Sequence, residues 1–335
     1  MRPKSCLSGI VPNGKNNCSM KLFLHIGLHK TGTTFTQREI FQKITNKNIH
    51  YYGPDDGIEN LKQFNKHVLN VLKKNKTKKN KKIIVSHEGL LQRRKNDFEF
   101  EKNIKEIKKN FKKFKPTIIL SLRYQPEWIV SIYKDCLRHG YFIMNFEKFI
   151  KSKKNLNLKK IDYVKLIELL RKNLGKNNIN LIFYEDLKEN KKYLINEYSK
   201  ILRKKINYKN INFQNKHTVN ISNLGARIIL TYYNFFKYNK KEYLKKNKLY
   251  KVRLSHINLL KNPDLYFKVF VFKILYRLIN FNFLILVRDN LDFLLKKIDI
   301  TDNFKLSKNL IEIFTKQNIE LKKLIKSTPK KYYKI

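Results

Sequence analysis

A short segment near the amino terminus combines glycine, lysine and threonine at a spacing typical of loops that bind phosphate. In HIGLHKTGTTF, residues 25–35, Gly27 and Gly32 lie five residues apart, as in the pattern G-x-x-x-x-G-K-[ST]. Thr33 follows the second glycine where that pattern has lysine, and the lysine is inside the loop, at Lys30. Because backbone amides in such loops bind anions, the spacing predicts an anion site. The alternative is an ordinary tight turn between a strand and a helix.

Polar residues also follow two later apolar runs. Arg123 follows TIILSL, and Ser131 comes eight residues later in LRYQPEWIVSIY. The run INLIFY ends at Tyr184 and is followed by Glu185 and Asp186, which resemble the metal-holding acid of a nucleotide hydrolase. A P-loop kinase that uses ATP and Mg²⁺ is therefore one alternative, although the lysine expected after the second glycine is missing.

Together these motifs resemble the sulfotransferases that use 3′-phosphoadenosine 5′-phosphosulfate (PAPS). GLHKTGTTF is similar to that family's 5′-phosphosulfate loop. Arg123 and Ser131 match an arginine that closes a strand and a serine eight residues later, and YEDL, residues 184–187, matches a third element. The motifs occur in the family's order and cover about residues 20–190. The sequences HIGLHKTGTTF, SHEGL and RYQPEW most resemble those of the bacterial branch of the superfamily.

The resemblance implies in-line transfer of a sulfuryl group from PAPS to an acceptor hydroxyl, with release of adenosine 3′,5′-bisphosphate. It puts Lys30 at the bridging oxygen between sulfur and phosphorus, with Thr33, Thr34 and loop amides at the 5′-phosphate. Arg123 and Ser131 then bind the 3′-phosphate, the arginine as a fork and the serine as a donor. No metal is expected, because a transferring sulfuryl group carries less negative charge than a phosphoryl group.

Several of the implied roles have structural alternatives. Phe35 stands where the family often has an aromatic residue that stacks on adenine, and core packing is the alternative. Tyr184 supports either the nucleotide or the sheet. Arg123 is otherwise the cap of a sheet edge, and Ser131 a neutral helix residue. The expected cofactor-binding residues are Gly27, Lys30, Thr31, Gly32, Thr33, Thr34, Phe35, Arg123, Ser131 and Tyr184.

Transfer to a hydroxyl also needs a base within hydrogen-bond reach of the acceptor. The family has a histidine or glutamate at the end of the strand after the phosphate loop, and IIVSHEGL offers both His87 and Glu88. Because side chains alternate along a strand, only one of them should face the site. An S-x-E pattern in the bacterial branch favours Glu88, and partial burial predicts a raised pKa for its carboxyl group. The catalytic candidates are therefore Lys30, Glu88 and His87. The histidines expected at the rim or in structural roles are His25, His29 and His217.

Four apolar runs have the length of buried parallel strands. They are LFLHI (22–26), IIVSH (83–87), TIILSL (117–122) and INLIFY (179–184). Helical patterns separate them, for example at residues 33–44 and at 126–140, which begins with a proline and ends with a glycine. This alternation predicts an α/β fold in which helices flank a parallel, P-loop-type sheet. The Lys/Asn-rich stretch 73–82 is expected to be a solvated linker.

The chain is expected to consist of a flexible tail, an α/β core and a helical extension of the same domain. These comprise residues 1–19, 20–214 and 215–335. The tail lacks the apolar stretch of a signal peptide, and Met20 is an alternative start. Within the extension, the apolar stretch 264–288 is interrupted by three basic residues, which predicts a buried helical hairpin or peripheral contact with a membrane.

Composition limits the remaining classes of protein. Hydrophobic residues make up 42% of the 335 residues, which excludes a disordered basic tail. The net charge is +48, but the chain has 62 lysines and only twelve arginines. Since arginine is the preferred bidentate ligand of phosphates and bases, a Lys-rich nucleic-acid-binding protein is the least favoured alternative. The expected partner is an acceptor such as a glycan or a small hydroxyl compound, with carbohydrate preferred and no specific nucleic acid.

Cysteine usage bears on the compartment. The three cysteines, at 6, 18 and 136, have neither metal-binding nor redox spacing. This favours a reducing compartment, and hence the cytoplasm, including the inner face of the membrane.

Overall fold

The computed structural model describes most of the chain before residue 214 and two shorter parts after it. The described residues are 20–54, 61–76, 78, 80–92, 99–138, 144–152, 161–175, 178–214, 222–231 and 304–325. The predictions for residues 1–19, for His217 and for residues 264–288 lie outside these residues.

Five parallel strands form one sheet in the order β2-β3-β1-β4-β5. The strands are β1 (Lys21–Gly27), β2 (Ile49–Tyr52), β3 (Lys82–Ser86), β4 (Thr117–Leu122) and β5 (Ile179–Phe183). The predicted parallel α/β class is therefore confirmed.

The edge strand β2 was not among the four strands predicted from the sequence. Its sequence, IHYY, is short, and only Ile49 is fully buried. At the edge of the sheet a strand has one neighbour and is partly open to solvent, so it does not need the continuous apolar run that marks a central strand.

Helices follow or connect the strands. Those before residue 214 are α1 (Thr33–Phe35), α2 (Gln42–Ile44), α3 (Leu61–Asn75), α4 (Phe100–Phe111), α5 (Gln125–Arg138), α6 (Phe146–Lys151), α7 (Tyr163–Leu174), α8 (Tyr184–Glu189) and α9 (Lys191–Leu202). A π-helical stretch, Thr36–Phe41, joins α1 to α2, so residues 33–44 are helical throughout, as predicted. The predicted helix over 126–140 corresponds to α5.

Different helices cover the two faces of the sheet. Alternation along β1 sends Leu22, Leu24 and Ile26 to one apolar layer and Phe23 to the other. Helices α3, α4, α5 and α7 pack in the first layer. The helix over 33–44 and α9 pack in the second. Because both faces are buried, the central strands are apolar at nearly every position.

The linker expected at residues 73–82 is shorter than predicted. Helix α3 continues to Asn75, and β3 begins at Lys82. The buried residues Val68 and Leu72 hold α3 against the first apolar layer, and lysine is a good helix former that extends the last turn. The lysines at 73 and 74 therefore belong to the solvated end of α3 and not to a linker.

The described part of the carboxyl-terminal region is helical, as predicted. Residues 223–231 form a helix, and α10 spans Lys308–Leu324. Phe314 of α10 is buried in the same apolar layer as α7. Nη2 of Arg171 on α7 also donates a hydrogen bond to the carbonyl oxygen of Leu324 at 3.5 Å. Helix α10 therefore covers the layer that packs on the sheet.

Among the described residues, no helix is both long enough and apolar enough to cross a bilayer.

Candidate functional site

The predicted site residues lie along the edge of the sheet where the strands end. β1 ends at Gly27, β3 at Ser86, β4 at Leu122 and β5 at Phe183. The glycine loop, residues 27–32, begins at the end of β1. The other three strand ends are followed directly by His87, Arg123 and Tyr184, which begin the other motifs. In parallel α/β sheets, ligands bind in the crevice outside the carboxyl ends of the strands. The topology therefore brings four motifs that are distant in sequence to one edge.

Both glycines of the loop occupy positions that are too tight for a larger residue. A Cβ atom on Gly27 would lie 2.9 Å from Cγ2 of Thr33. Gly32 has a φ of +79°, and a Cβ atom there would lie 2.9 Å from Cδ2 of Tyr184. Lys30 also has a positive φ, 67°. Two left-handed residues so close together turn the chain sharply from β1 towards the helix.

The loop ends on the amino terminus of the helix over 33–44. The N–H of Thr36 donates to the carbonyl oxygen of Gly32 at 3.1 Å, which closes the first helical turn. The hydroxyl of Thr31 donates to the carbonyl oxygen of Leu28 at 2.7 Å and braces the loop from within. Free amides at the start of a helix and the positive end of its dipole favour an anion at this place.

Lys30 pairs with an acidic residue that the sequence analysis did not identify. Its Nζ lies 3.3 Å from Oδ1 of Asp135 on α5, and the two side chains are 12% and 5% exposed. Burial lowers the pKa of Lys30 to about 8, and the charges of Arg138 and Arg123 act in the same direction. Asp135 lies four residues after Ser131, so helical periodicity was the sequence signal that connected it to the site.

Arg123 links the glycine loop to the end of β5. Its Nη1 donates to the carbonyl oxygen of Lys30 at 3.4 Å, and its guanidinium carbon lies 4.3 Å from the centre of the Tyr184 ring. Nη2 donates to Glu127 at 3.3 Å. The hydroxyl of Tyr163 donates to the carbonyl oxygen of Arg123 at 2.7 Å and fixes its backbone. Three of the predicted residues thus form one contact group.

Glu88 reaches the same loop from the end of β3. Its Oε1 accepts a hydrogen bond from the hydroxyl of Thr33. Burial acts to raise the pKa of Glu88, but the bond from Thr33 and the nearby His29 outweigh it, so the pKa lies below its ordinary value. The expected raised pKa is therefore wrong, because hydrogen bonding to the charged form exceeds the effect of desolvation. Glu88 is ionised at neutral pH.

The neighbouring His87 is engaged elsewhere. Its Nδ1 accepts a hydrogen bond from the N–H of Gly89 at 2.9 Å and caps the 3₁₀ turn Glu88–Leu90. Its ring centre lies 5.0 Å from that of Phe64 on α3. Burial lowers the pKa of His87 in spite of the nearby carboxylate. Of the two candidate bases, the one that contacts the loop is Glu88.

His25 is a buried structural residue in the middle of the sheet. Hydrogen bonds join its Nδ1 to Oγ of Ser86 at 2.7 Å and its Nε2 to Oγ of Ser121 at 2.8 Å. Nε2 of Gln37 donates to the same Ser86 oxygen at 2.9 Å. Burial lowers the pKa of His25 to about 4. The imidazole is therefore neutral at pH 7 and ties β1 to both of its neighbours.

Two residues that the sequence analysis did not single out hold His29 and, through it, the loop. The backbone N–H and the Nε2 of His29 both bond to Gln92, at 3.0 Å each, through its Oε1 and its carbonyl oxygen. The indole N–H of Trp128 donates to the carbonyl oxygen of His29 at 2.7 Å. Trp128 lies in RYQPEW, one of the segments that carried the resemblance, which was the available sequence signal.

The remaining predicted residues differ in their surroundings. Phe35 is buried in the second apolar layer and stacks on Phe213, with ring centres 5.5 Å apart, which agrees with the core-packing alternative. Ser131 is buried on α5, and Thr34 is half-buried at the start of the first helix.

The acidic pair after β5 belongs to the framework of the site. Oε1 of Glu185 accepts a hydrogen bond from the backbone N–H of Tyr124 at 2.8 Å, and burial raises the pKa of this carboxyl group. Burial and the neighbouring Glu185 raise the pKa of Asp186 to about 6. Among the described residues, no group of three or more His, Cys, Asp or Glu side chains is arranged to hold a metal ion.

No protein-family model and no curated protein match the sequence. Two of the structural neighbours are sulfotransferases. Mouse sulfotransferase SULT7A1, crystallised with PAP, is 17% identical with a TM-score of 0.39, and the match covers 56% of this chain and 61% of that one. A sulfotransferase from Alicyclobacillus acidocaldarius is 12% identical with a TM-score of 0.40, and the match covers 54% of this chain and 80% of that one.

Proposed function

We propose that this chain is a PAPS-dependent sulfotransferase that moves a sulfuryl group from PAPS to a hydroxyl of an acceptor. The main support is the 3.4 Å hydrogen bond from Arg123 to the carbonyl oxygen of Lys30. This bond joins the glycine loop, which carries Lys30, to the guanidinium of Arg123, a second cationic group outside the loop. A donor with anionic groups at both its 5′ and 3′ positions needs two such sites side by side, whereas the phosphates of ATP follow one another in a row.

The side chains suit a ligand with two anionic groups. Arg123 is buried, and its Nε has no hydrogen-bond partner in the described structure. Lys30 and Arg138 add positive charge close by. Gly27 and Gly32 let the backbone approach a ligand without a side chain in between. Arginine binds a phosphate as a fork, so Arg123 is the proposed contact of the 3′-phosphate.

Lys30 is the proposed stabiliser of the leaving group. When PAPS is bound, it supplies an activated sulfuryl group whose departure leaves negative charge on the bridging oxygen. An ammonium group placed beforehand near that oxygen lowers the barrier, since the interaction strengthens as charge develops. Asp135 holds the ammonium within the site at 3.3 Å and acts as a positioning residue.

Glu88 is the proposed base. Its carboxylate is ionised and accepts a hydrogen bond from Thr33, which orients it beside the loop. The carboxylate then takes the proton of the acceptor hydroxyl during transfer. A carbohydrate is the preferred acceptor class, on the basis of the resemblance that the motifs carry.

Titration calorimetry with adenosine 3′,5′-bisphosphate and with adenosine 5′-phosphate tests the proposal without knowledge of the acceptor. A charged hydrogen bond contributes about 1.5–3 kcal/mol, so Arg123→Ala should weaken the bisphosphate about tenfold or more and the monophosphate much less. Arg227→Ala, at an exposed helical position, is the matched control and should change neither. Equal losses for both nucleotides would remove Arg123 from the 3′-phosphate site.

A P-loop kinase is the alternative enzyme, and the structure gives it little support. Its metal-holding acid would have to come from the pair after β5. Glu185 is bonded to the backbone of Tyr124, and burial together with Glu185 raises the pKa of Asp186 to about 6, which disfavours the ionised form that a metal needs. A kinase would transfer the γ-phosphate of ATP and lose activity in EDTA, whereas sulfuryl transfer should persist there.

A further inference from the structure

A concave, strongly basic surface lies at the amino edge of the sheet, opposite the candidate site. Two cavities of about 320 and 620 Å³ open there, and both are lined by Lys21, the first residue of β1. Their cationic residues, the basic cleft, are Lys21, Lys76, Lys81, Lys82, Lys113, Lys115, Lys200, Arg203 and Lys204. The described lining residues include no Asp or Glu. Lys21 and Gly27 lie at opposite ends of β1, which separates this cleft from the glycine loop by about 20 Å.

One lysine of the basic cleft has a structural role. Nζ of Lys82 donates to the carbonyl oxygens of Leu202 and Arg203, at 3.0 and 2.8 Å, and so caps the carboxyl end of α9. Burial lowers the pKa of Lys82, and the charges of Lys21, Lys204 and Arg203 lower it further. Like charges are therefore crowded around a fixed ammonium, and a bound anion would relieve the repulsion.

The abundance of lysine in this chain does not by itself produce such a surface. The groove between α3 and α4 is also rich in lysine, but its lining includes Glu106. Beside it, Lys105 pairs with Glu101 at 2.8 Å. In the described residues, no carboxylate pairs with Lys21, Lys81 or Lys204. One cation of the basic cleft, Lys200, pairs with Glu197 at 2.7 Å. The described lining itself contains no carboxylate, and this distinguishes the basic cleft from the groove between α3 and α4.

The preceding part of the chain does not supply the missing negative charge. Residues 1–19 contain Arg2, Lys4 and Lys15 and no Asp or Glu. Residues 1–19 therefore add to the positive charge, and we look for the partner of the basic cleft in a separate anionic molecule.

We propose that the basic cleft binds a linear polyanionic carbohydrate, at a place distinct from the candidate transfer site. Side-chain amides also line the two cavities, and an amide group can both donate to and accept from a sugar hydroxyl. They belong to Asn46, Asn48, Asn80, Asn178 and Asn180.

Two other polyanions fit the basic cleft less well. Among the described residues of the lining, the aromatic ones are Phe23 and Phe114. Both are buried, so this lining offers nucleic-acid bases no exposed ring on which to stack. A flat bilayer would meet the rim of a concave surface and leave the cations on its floor without lipid headgroups. Shape and lining together favour a flexible, hydroxyl-bearing chain.

Fluorescence anisotropy with labelled dextran sulfate tests this proposal, with neutral dextran as the negative control. The triple variant Lys21→Gln, Lys81→Gln, Lys204→Gln removes three charges from the basic cleft and leaves the helix cap at Lys82 intact. The matched control Lys66→Gln, Lys73→Gln, Lys109→Gln removes three charges from exposed positions in the groove between α3 and α4.

The cleft variant should bind dextran sulfate about tenfold more weakly near 0.1 M salt, and the control less than twofold. The slope of log affinity against log salt should become shallower by about two to three for the cleft variant, because fewer counterions are released. Lys204→Glu alone, at an exposed position, provides a second variant that should weaken binding in the same direction. Adenosine 3′,5′-bisphosphate titration should be unchanged in every variant, so this result is independent of the transfer site.

Equal losses in the cleft variant and the control would show a uniform lysine coat and overturn the proposal. Tighter binding to a DNA duplex or to phosphatidylserine vesicles than to dextran sulfate, with the same dependence on the cleft lysines, would overturn the carbohydrate assignment.

Discussion

At the scale of single residues, the chemistry of the site depends on the charge state of Lys30. Its ammonium is mostly buried, lies beside two arginines and is paired with Asp135. Burial and the arginines lower its pKa to about 8, while an opposite charge at 3.3 Å favours the protonated form. The ammonium is therefore present below pH 8 and is lost as pH rises through that value.

The affinity for adenosine 3′,5′-bisphosphate should follow this titration. Because an anion prefers the protonated form of Lys30, affinity should fall about tenfold between pH 7 and pH 9. Asp135→Asn removes the opposite charge, lowers the pKa of Lys30 further and should move the fall to lower pH. Asp135→Glu keeps the charge and should keep the fall near pH 8. Calorimetry at a series of pH values measures both, and a profile unaffected by Asp135→Asn would contradict the positioning role.

The assignment of Glu88 as the base, in preference to His87, leads to a second prediction about single residues. Glu88→Gln keeps the shape of the side chain but removes its ability to accept a proton. It should lower turnover, followed as release of adenosine 3′,5′-bisphosphate from PAPS, by about 10²–10⁴ and leave nucleotide affinity within about twofold. His87→Ala is the comparison and should do less, since its Nδ1 caps a turn. The reverse order of effects would assign the base to His87.

At the scale of elements, the glycine loop depends on contacts with the start of α8. Gly32 lies against Tyr184, and the ring of Tyr184 lies under the guanidinium of Arg123. A side chain at Gly32 would push this ring and shift the arginine above it. The loop after β1 and the residue that follows β4 are therefore coupled through an aromatic residue at the start of α8.

Gly32→Ala and Gly175→Ala separate this crowding from backbone strain. Both glycines have positive φ, +79° and +101°, so either substitution should cost about 1–3 kcal/mol of unfolding free energy. A Cβ atom on Gly175 would be no closer than 3.6 Å to another residue, whereas on Gly32 it would lie 2.9 Å from Tyr184. Only Gly32→Ala should also weaken adenosine 3′,5′-bisphosphate, by about tenfold. Denaturant unfolding measures the loss of stability, and calorimetry measures the affinity for the nucleotide. Equal affinities of the Gly32→Ala and Gly175→Ala variants for adenosine 3′,5′-bisphosphate would rule out the coupling.

At the scale of the whole molecule, a helix from the end of the chain is part of the main apolar layer. Phe314 of α10 is 1% exposed and belongs to the same cluster as the helices on the first face of the sheet. The residues before and after the long intervening stretch are thus held together by burial of apolar surface.

Phe314→Ala tests whether α10 unfolds together with the sheet. Loss of a buried phenylalanine should lower the free energy of unfolding by about 3–5 kcal/mol. Ile313→Ala, at a position 43% exposed on the same helix, should have a much smaller effect. If α10 belongs to one cooperative unit, calorimetric scanning should show a single transition at lower temperature. A separate low-temperature transition would contradict the single-domain prediction.

Local patterns in the sequence were sufficient for the fold class and for the position of the loop. The central strands are buried on both faces, so consecutive residues in them are apolar. This produces the continuous apolar runs LFLHI, IIVSH and TIILSL. Gly32 carries a similar local mark, because its positive φ favours glycine wherever the chain goes next. The roles assigned to the site residues by the resemblance stay predictions.

Contacts between distant parts of the chain were decided only by the tertiary structure. Helical periodicity puts Asp135 on the same face of α5 as Ser131, but it does not identify Lys30, 105 residues away, as its partner. That pair forms only when α5 packs beside the loop. Burial of Glu88 was foreseeable from the sequence, but the hydrogen bond from Thr33, 55 residues away, reversed the direction of its pKa shift. The sequence by itself determined which backbone conformations and buried strands are favourable, since these depend on neighbouring residues. The partners of each charge depend on how those elements pack, and only the folded chain decides them.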